Sequence, residues 1–240
     1  MIFDWNSDVI RWYTDADEYT GFSGKLAALL RPKLAGCRTL CDIGCGLGLT
    51  DFALAPFFDS VTCADISPEA IAYIRDRCAA EGITSIRPVC ADGPSLQGSW
   101  DAVTAMFHGQ IEVIVPNYLK KARDRLVLVV HGSASGTTGP EGYRVRKCCS
   151  MDAASAWLDA HGYRYSCEYA ELEFGQPHRS LEEAVAYTRT NTVGTPEDLL
   201  RKHVERTVLP TGDERFPLYT PKTKRFGIYV IRKADGPQTH

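Results

Sequence analysis

Five side chains able to do polar or proton-transfer chemistry stand at the ends of apolar runs: Asp42, Asp65, Asp92, His108 and His131. If those runs are parallel strands of one sheet, all five converge on the rim at the strands' carboxyl ends, where open α/β sheets bind ligands. Carboxylates there suit a cationic or hydroxyl-bearing ligand, and imidazoles exchange protons near neutral pH. Just after Asp42 comes Gly44-Cys45-Gly46-Leu47-Gly48. Glycines at alternate positions let the backbone turn sharply and let a ligand lie against bare main chain. Cys45, between two of them, reads as a small packing residue and not as a nucleophile.

The elements that must position these groups follow from the hydrophobic pattern. Strands are predicted over 38–43, 61–65, 85–90, 101–106 and 125–130, with helices over 23–35, 50–58, 67–82 and 110–121 between them. Ser67-Pro68 opens the 67–82 helix as an N-cap and first-turn proline, and Gly82 closes it. Strands alternating with helices imply a parallel sheet with right-handed crossovers. Beyond Gly132 the pattern loosens into a Gly/Ser/Thr-rich loop over 132–142. A helix capped by Ser150 then runs to about Gly162, and a strand is expected over 163–174. Capping boxes at Ser180–Glu183 and Thr195–Asp198 predict two short helices, and 226–231 reads as a last strand. The expected architecture is a doubly wound, mostly parallel α/β sheet with helices on both faces and a helical insertion before the last strand. Residues 1–36 form an N-terminal cap, 37–132 the core, and 133–240 the rest of the same domain.

Composition narrows the function. The chain has 240 residues, 44% hydrophobic and 24% charged, with net charge −3. There is no global basic field of the kind a dedicated nucleic-acid binder carries. The N-terminal stretch is acidic (Asp4, Asp8, Asp15, Asp17, Glu18 against Arg11) and rich in aromatics, of which Trp5, Trp12 and Tyr13 are candidates for a lid over a ligand. Nine cysteines, an odd number scattered through strands and helices, do not form a disulfide framework. With no signal peptide pattern and no long apolar span, a reduced cytoplasmic setting and no membrane partner are expected. Adjacent Cys148 and Cys149 lack a C-x-x-C partner, so no metal site is expected.

The glycine turn does not match a dinucleotide or phosphate cradle. Leu49 stands where G-x-G-x-x-G needs its third glycine, and no Gly-Lys-Ser or Gly-Lys-Thr follows. Asp65, about twenty residues on, can accept from ribose hydroxyls under either cofactor reading.

On these residues the sequence resembles the class I S-adenosylmethionine-dependent methyltransferases. The matching stretches are Asp42-Ile-Gly44-Cys-Gly46-Leu-Gly48, Asp65, Ala91-Asp92-Gly93 and Trp100-Asp101-Ala-Val-Thr-Ala-Met106, covering about 37–132. The closing 226–231 segment is similar to that family's antiparallel last strand, while 133–225 is not specified by it. The resemblance implies that Gly44, Cys45 and Gly46 press against the methionine part of S-adenosylmethionine. Asp42 organises the turn and helps hold the amino group, and Asp65 binds the ribose hydroxyls. Ile66 packs on the adenine, Asp92 accepts from its amine with Gly93 adjacent, and Met106 and Phe107 line the methyl end. The product would be S-adenosylhomocysteine.

His108 and His131 are then the candidate bases for the acceptor's proton. Phe107-His108-Gly109 stands where the family's nucleic-acid amino methyltransferases carry Asn/Asp-Pro-Pro-Tyr. That difference and the acidic charge favour a small-molecule acceptor. Two other readings stay open: a cofactor-binding sensor or partner module without transferase activity, and a protein or RNA methyltransferase docking through Lys222, Lys224 and Arg225.

Overall fold

The computed structural model describes residues 4–132, 139–143 and 149–235. Cys148 and most of the expected 132–142 loop lie outside the described residues. The elements in chain order are α1 (Ser7–Thr20), α2 (Phe22–Leu30), β1 (Thr39–Ile43), α3 (Leu49–Leu54), β2 (Ser60–Asp65), α4 (Pro68–Glu81), β3 (Ile86–Cys90), β4 (Trp100–Met106), α5 (Ile111–Tyr118) and β5 (Ala122–His131). There follow α6 (Met151–Ala160), β6 (Ser166–Glu173), β7 (Gln176–His178), α7 (Leu181–Thr190), α8 (Glu197–Thr207), β8 (Leu209–Pro210), β9 (Leu218–Thr220) and β10 (Thr223–Arg232).

A seven-stranded sheet in the order β3-β2-β1-β4-β5-β10-β6 forms the centre. The strands from β1 to β5 pair in parallel, and β10 runs antiparallel to both β5 and β6. β10 is therefore interior, with Phe226 opposite His131 and Tyr229 opposite Leu128. Leu26 and Leu30 of α2, Leu54 of α3, and Ile71 and Ile74 of α4 cover one face. Ile114 and Val115 of α5 and Leu158 of α6 cover the other. Many of these side chains are fully buried, each worth about 2 kcal/mol in transfer from water.

Several local expectations change. The helix expected over 50–58 is only α3, because Pro56 turns the chain into a 3-10 segment, Ala55–Phe57. At α7, Ser180 caps as expected, its side chain accepting from the Glu183 N–H. At α8 the capping box at Thr195 does not form: Pro196 is the N-cap and no side chain bonds to the helix end. Between α7, α8 and β10 the chain also builds a second sheet, β7-β9-β8, which the pattern does not announce. Its strands are two or three residues long, too short to show alternation.

The N-terminal helix is fastened to this insertion. Asp15, 4% exposed, accepts from both terminal nitrogens of Arg179 (2.6 and 3.0 Å) and lies 3.5 Å from Arg215. Arg11 pairs with Glu183, which also accepts from Trp12 Nε1 at 3.3 Å. No helix among the described residues is long and apolar enough to cross a membrane.

Candidate active site

The site begins where β1 ends. The N–H groups of Gly44 and Cys45 both donate to the carbonyl of Ala64 on β2, at 2.7 and 3.1 Å. Gly44, Gly46 and Gly48 have φ of 78°, 55° and 64°, the left-handed region that glycine enters without a Cβ penalty. The Gly46 N–H donates to Asp65 Oδ2 at 2.8 Å, and the Ser67 N–H to Asp65 Oδ1 at 2.9 Å. One carboxylate thus ties the turn after β1 to the start of α4. Because α3 is short, the shape of the turn, more than a helix dipole, defines the surface offered to a ligand.

Asp42 is not on the rim with Asp65. It is fully buried beneath the turn, where Thr104 donates to its Oδ1 at 2.8 Å. Asp51, from α3, is also fully buried and faces it. Neither oxygen of Asp51 nor Asp42 Oδ2 has an N–H or hydroxyl donor. Two carboxyls so placed are satisfied only by sharing a proton, and both are held well above the usual carboxylate range, first by burial and for Asp42 next by the charge of its neighbour. Cys45 and Cys63 complete the group; their sulfurs and an Asp51 oxygen lie within 4.8 Å of one another. Burial pushes the Cys45 thiol up to about 12, and the Cys63 thiol is raised by its contact with Cys45 and then by burial. The Cys45 thiol therefore keeps its proton and is no nucleophile, and the knot supports the turn from beneath.

On the ligand side, bare backbone is met by side chains. His108 follows Phe107, a non-glycine residue at φ 59°. His108 Nε2 meets the Ile43 carbonyl at 2.5 Å, and its Cδ2 would be 2.5 Å from a Cβ built on Gly44. Burial, the largest influence, lowers its basicity. Trp5, 8% exposed, lies on Gly46, where a Cβ would come within 2.7 Å of its Cζ2. Tyr13 packs edge-on against Trp5, ring centres 5.1 Å apart. Trp12 does not join them: it is buried against Tyr187 of α7.

Further along the rim, Ile66 is 46% exposed and Asp92 is exposed, while Gly93 is buried against Ile43 and the Tyr118 hydroxyl. Met106 and Phe107 are half-buried at the end of β4. The His131 ring lies 4.8 Å from that of Phe107. Burial, and then the charges of Lys224 and Lys222, push His131 down to about 4, so it is a neutral imidazole at pH 7. The site thus brings together Gly44, Cys45, Gly46, Asp65, Trp5, Tyr13 and His108, with Phe107 and His131 beside them. It also contains Asp51 and Tyr118, which sequence reasoning passes over, and Lys224, which the sequence offers only as part of a docking cluster. Asp51 carried a signal: an aspartate in the short α3 helix, whose Leu54 is also buried in the core.

Residues 40–130 match the family described as a methyltransferase domain. No curated protein matches the chain in sequence. Among solved structures, a protein of Bacillus halodurans C-125 described as a candidate methyltransferase is 15% identical with TM-score 0.57, over 86% of this chain and 98% of its own. Magnesium protoporphyrin IX methyltransferase of Synechocystis PCC 6803, solved with S-adenosylhomocysteine, is 15% identical with TM-score 0.55, over 96% and 90%. Geranyl diphosphate C-methyltransferase of Streptomyces coelicolor A3(2), also solved with S-adenosylhomocysteine, is 12% identical with TM-score 0.52, over 87% and 75%. The chain shares its fold with these solved methyltransferases, and within that fold residues 40–130 match a methyltransferase domain.

Proposed function

We propose that the chain transfers a methyl group from S-adenosylmethionine to a small-molecule nucleophile. The observation that carries this reading is the turn itself: three left-handed glycines, two of them faced by movable side chains, held to Asp65 by a backbone hydrogen bond. This cradle fits a ligand with an amino-acid end and a ribose. Gly44, Cys45 and Gly46 would hold the amino-acid end, Asp65 the ribose hydroxyls, and Ile66, Asp92 and Gly93 the adenine. Met106 and Phe107 would border the reactive end. Asp42 acts from beneath, by holding the turn's shape. When bound, the cofactor supplies an electrophilic methyl group for in-line displacement.

The chain's own residues align the partners and exclude water. Trp5 and Tyr13 cover the turn, and α1 is anchored to the insertion, so lid and acceptor region form one wall. His131, uncharged at pH 7, is available to accept the acceptor's proton, and His108 is placed to fix the Ile43 carbonyl. A macromolecular acceptor is disfavoured by the fate of the basic cluster. Lys224 is 7% exposed and Arg225 pairs with Glu171 at 3.2 Å, so they do not make a basic docking face.

Calorimetry with S-adenosylmethionine, S-adenosylhomocysteine and NAD tests the reading. Binding of the first two and none of NAD is expected. NAD binding without a response to S-adenosylmethionine would overturn it.

A further inference from the structure

Tyr118 is the last residue of α5, and the reading above gives it no part. It is 4% exposed and packs in the apolar layer between α5 and the sheet. Its hydroxyl reaches up to Gly93, the residue after the exposed Asp92. A Cβ built on Gly93 would stand 2.2 Å from that oxygen and 2.6 Å from Ile43 Cγ2, so a side chain at position 93 would push the hydroxyl aside. His108 lies on the same side, its ring centre 6.2 Å from that of Tyr118. The hydroxyl therefore sits at the carboxyl ends of β1, β3 and β4, on the rim where ligands of such sheets bind.

A buried tyrosine usually gives its hydroxyl a hydrogen-bond partner. Among the described residues this one has none: burial and the charges around it, Asp92 first, are what act on it. Nor is its oxygen one of the fold's enclosed unpartnered atoms, so the small exposed part of the residue includes the oxygen itself. Burial and those charges push the phenol up to about 12, so at neutral pH it keeps its proton and can donate. Asp92 beside it, when ionised, can only accept. A donor and an acceptor side by side match a group that carries the complementary pair. In a 6-aminopurine the amine donates, and the ring nitrogens that flank it, N1 and N7, accept. An anionic ligand group at this place would be repelled by Asp92.

Resting on the methyltransferase reading, we infer that Tyr118 is a specificity residue of the cofactor site: its hydroxyl donates to a ring nitrogen flanking the adenine amine, beside Asp92, which accepts from that amine. The fold keeps this hydroxyl for the ligand, and the bare face of Gly93 gives it room to reach the rim.

The test is calorimetry on the full chain with S-adenosylhomocysteine and its 1-deaza, 3-deaza and 7-deaza analogues. Wild type should bind the 1-deaza or the 7-deaza compound about tenfold more weakly than S-adenosylhomocysteine. Tyr118→Phe should bind S-adenosylhomocysteine about tenfold more weakly than wild type and no longer distinguish it from that one analogue, while the other two still report the loss. Because the hydroxyl has no partner in the fold, ligand-free Tyr118→Phe should melt within about 2 °C of wild type. A larger drop, down to failure to fold, would show that the hydroxyl serves the fold and would overturn the inference. So would an unchanged S-adenosylhomocysteine affinity in Tyr118→Phe, a loss of equal size on all four compounds, or a loss cancelled only by the 3-deaza analogue, whose missing nitrogen does not flank the amine. Failure of wild type to bind S-adenosylhomocysteine would overturn the methyltransferase reading and this inference with it.

Discussion

His108 closes on the bare face of Gly44. Its Nε2 meets the carbonyl of the preceding residue, Ile43, at 2.5 Å, and its ring fills the space a side chain at position 44 would need. The glycine turn and the end of β4 are thereby two halves of one surface, and whatever lies against Gly44 also meets His108.

Gly44→Ala should therefore damage binding and stability together. At φ 78° an alanine costs roughly 1–2 kcal/mol in backbone strain, and its Cβ displaces His108. S-adenosylhomocysteine affinity should fall by about thirtyfold or more, equivalent to about 2 kcal/mol. Calorimetry alongside urea unfolding measures both. An unchanged affinity would mean that the ligand does not use this face.

Stability should fall on acidification before the carboxylates titrate. His178 is fully buried, with Nε2 2.9 Å from Thr220 Oγ1 and Nδ1 unpartnered, and burial pushes it down to about 4, as it does His131. Between that value and the unfolded value near 6.5 the unfolded chain binds more protons, so stability rises with pH. Each histidine's contribution is complete above about pH 6.5 and lost as pH falls toward 4. For His178 the span is worth roughly 3 kcal/mol. Urea unfolding at pH 7.5 and pH 5 should show the loss, and His178→Gln should remove its share. A slope unaltered by His178→Gln would contradict the assignment.

The Asp42–Asp51 pair predicts the opposite dependence. A carboxyl raised in the folded state adds stability that is present below the unfolded value near 3.8 and lost as pH climbs through the raised value. Asp51→Asn keeps the shape of the neutral acid and cannot ionise. It should melt higher than wild type at pH 9, by about 1–3 kcal/mol, and differ less at pH 6. Melting curves from pH 6 to 9.5 check this, and a variant less stable than wild type at pH 9 would rule out the shared proton.

Much of the core was legible because its signals are local. Apolar runs ending in Asp65 and His131, Ser67-Pro68 opening α4, and glycines at alternate positions each state their structure within a few residues. What escaped is set by distant parts of the chain. Asp42 looks like a rim carboxylate until Asp51 folds back beneath the turn to share its burial. Lys224 looks like one of three charges in a solvated turn until α1, α2, β4 and β6 each place a ring around it. Thr195 satisfies a capping pattern, yet the helix begins one residue later than that pattern requires. Sequence periodicity reports neighbours along an element, and these features are contacts between elements.

The position of β10 also orders the assembly of the molecule in time. Among the described residues β6 pairs within the large sheet with β10 alone, and β10 is made after it. A chain emerging from synthesis can join β1 to β5 and form the glycine turn, while β6 waits for a partner still untranslated. The donor side can thus form early from near neighbours. The other side of the sheet closes only when β10 pairs between β5 and β6, a long-range step expected to limit the folding rate.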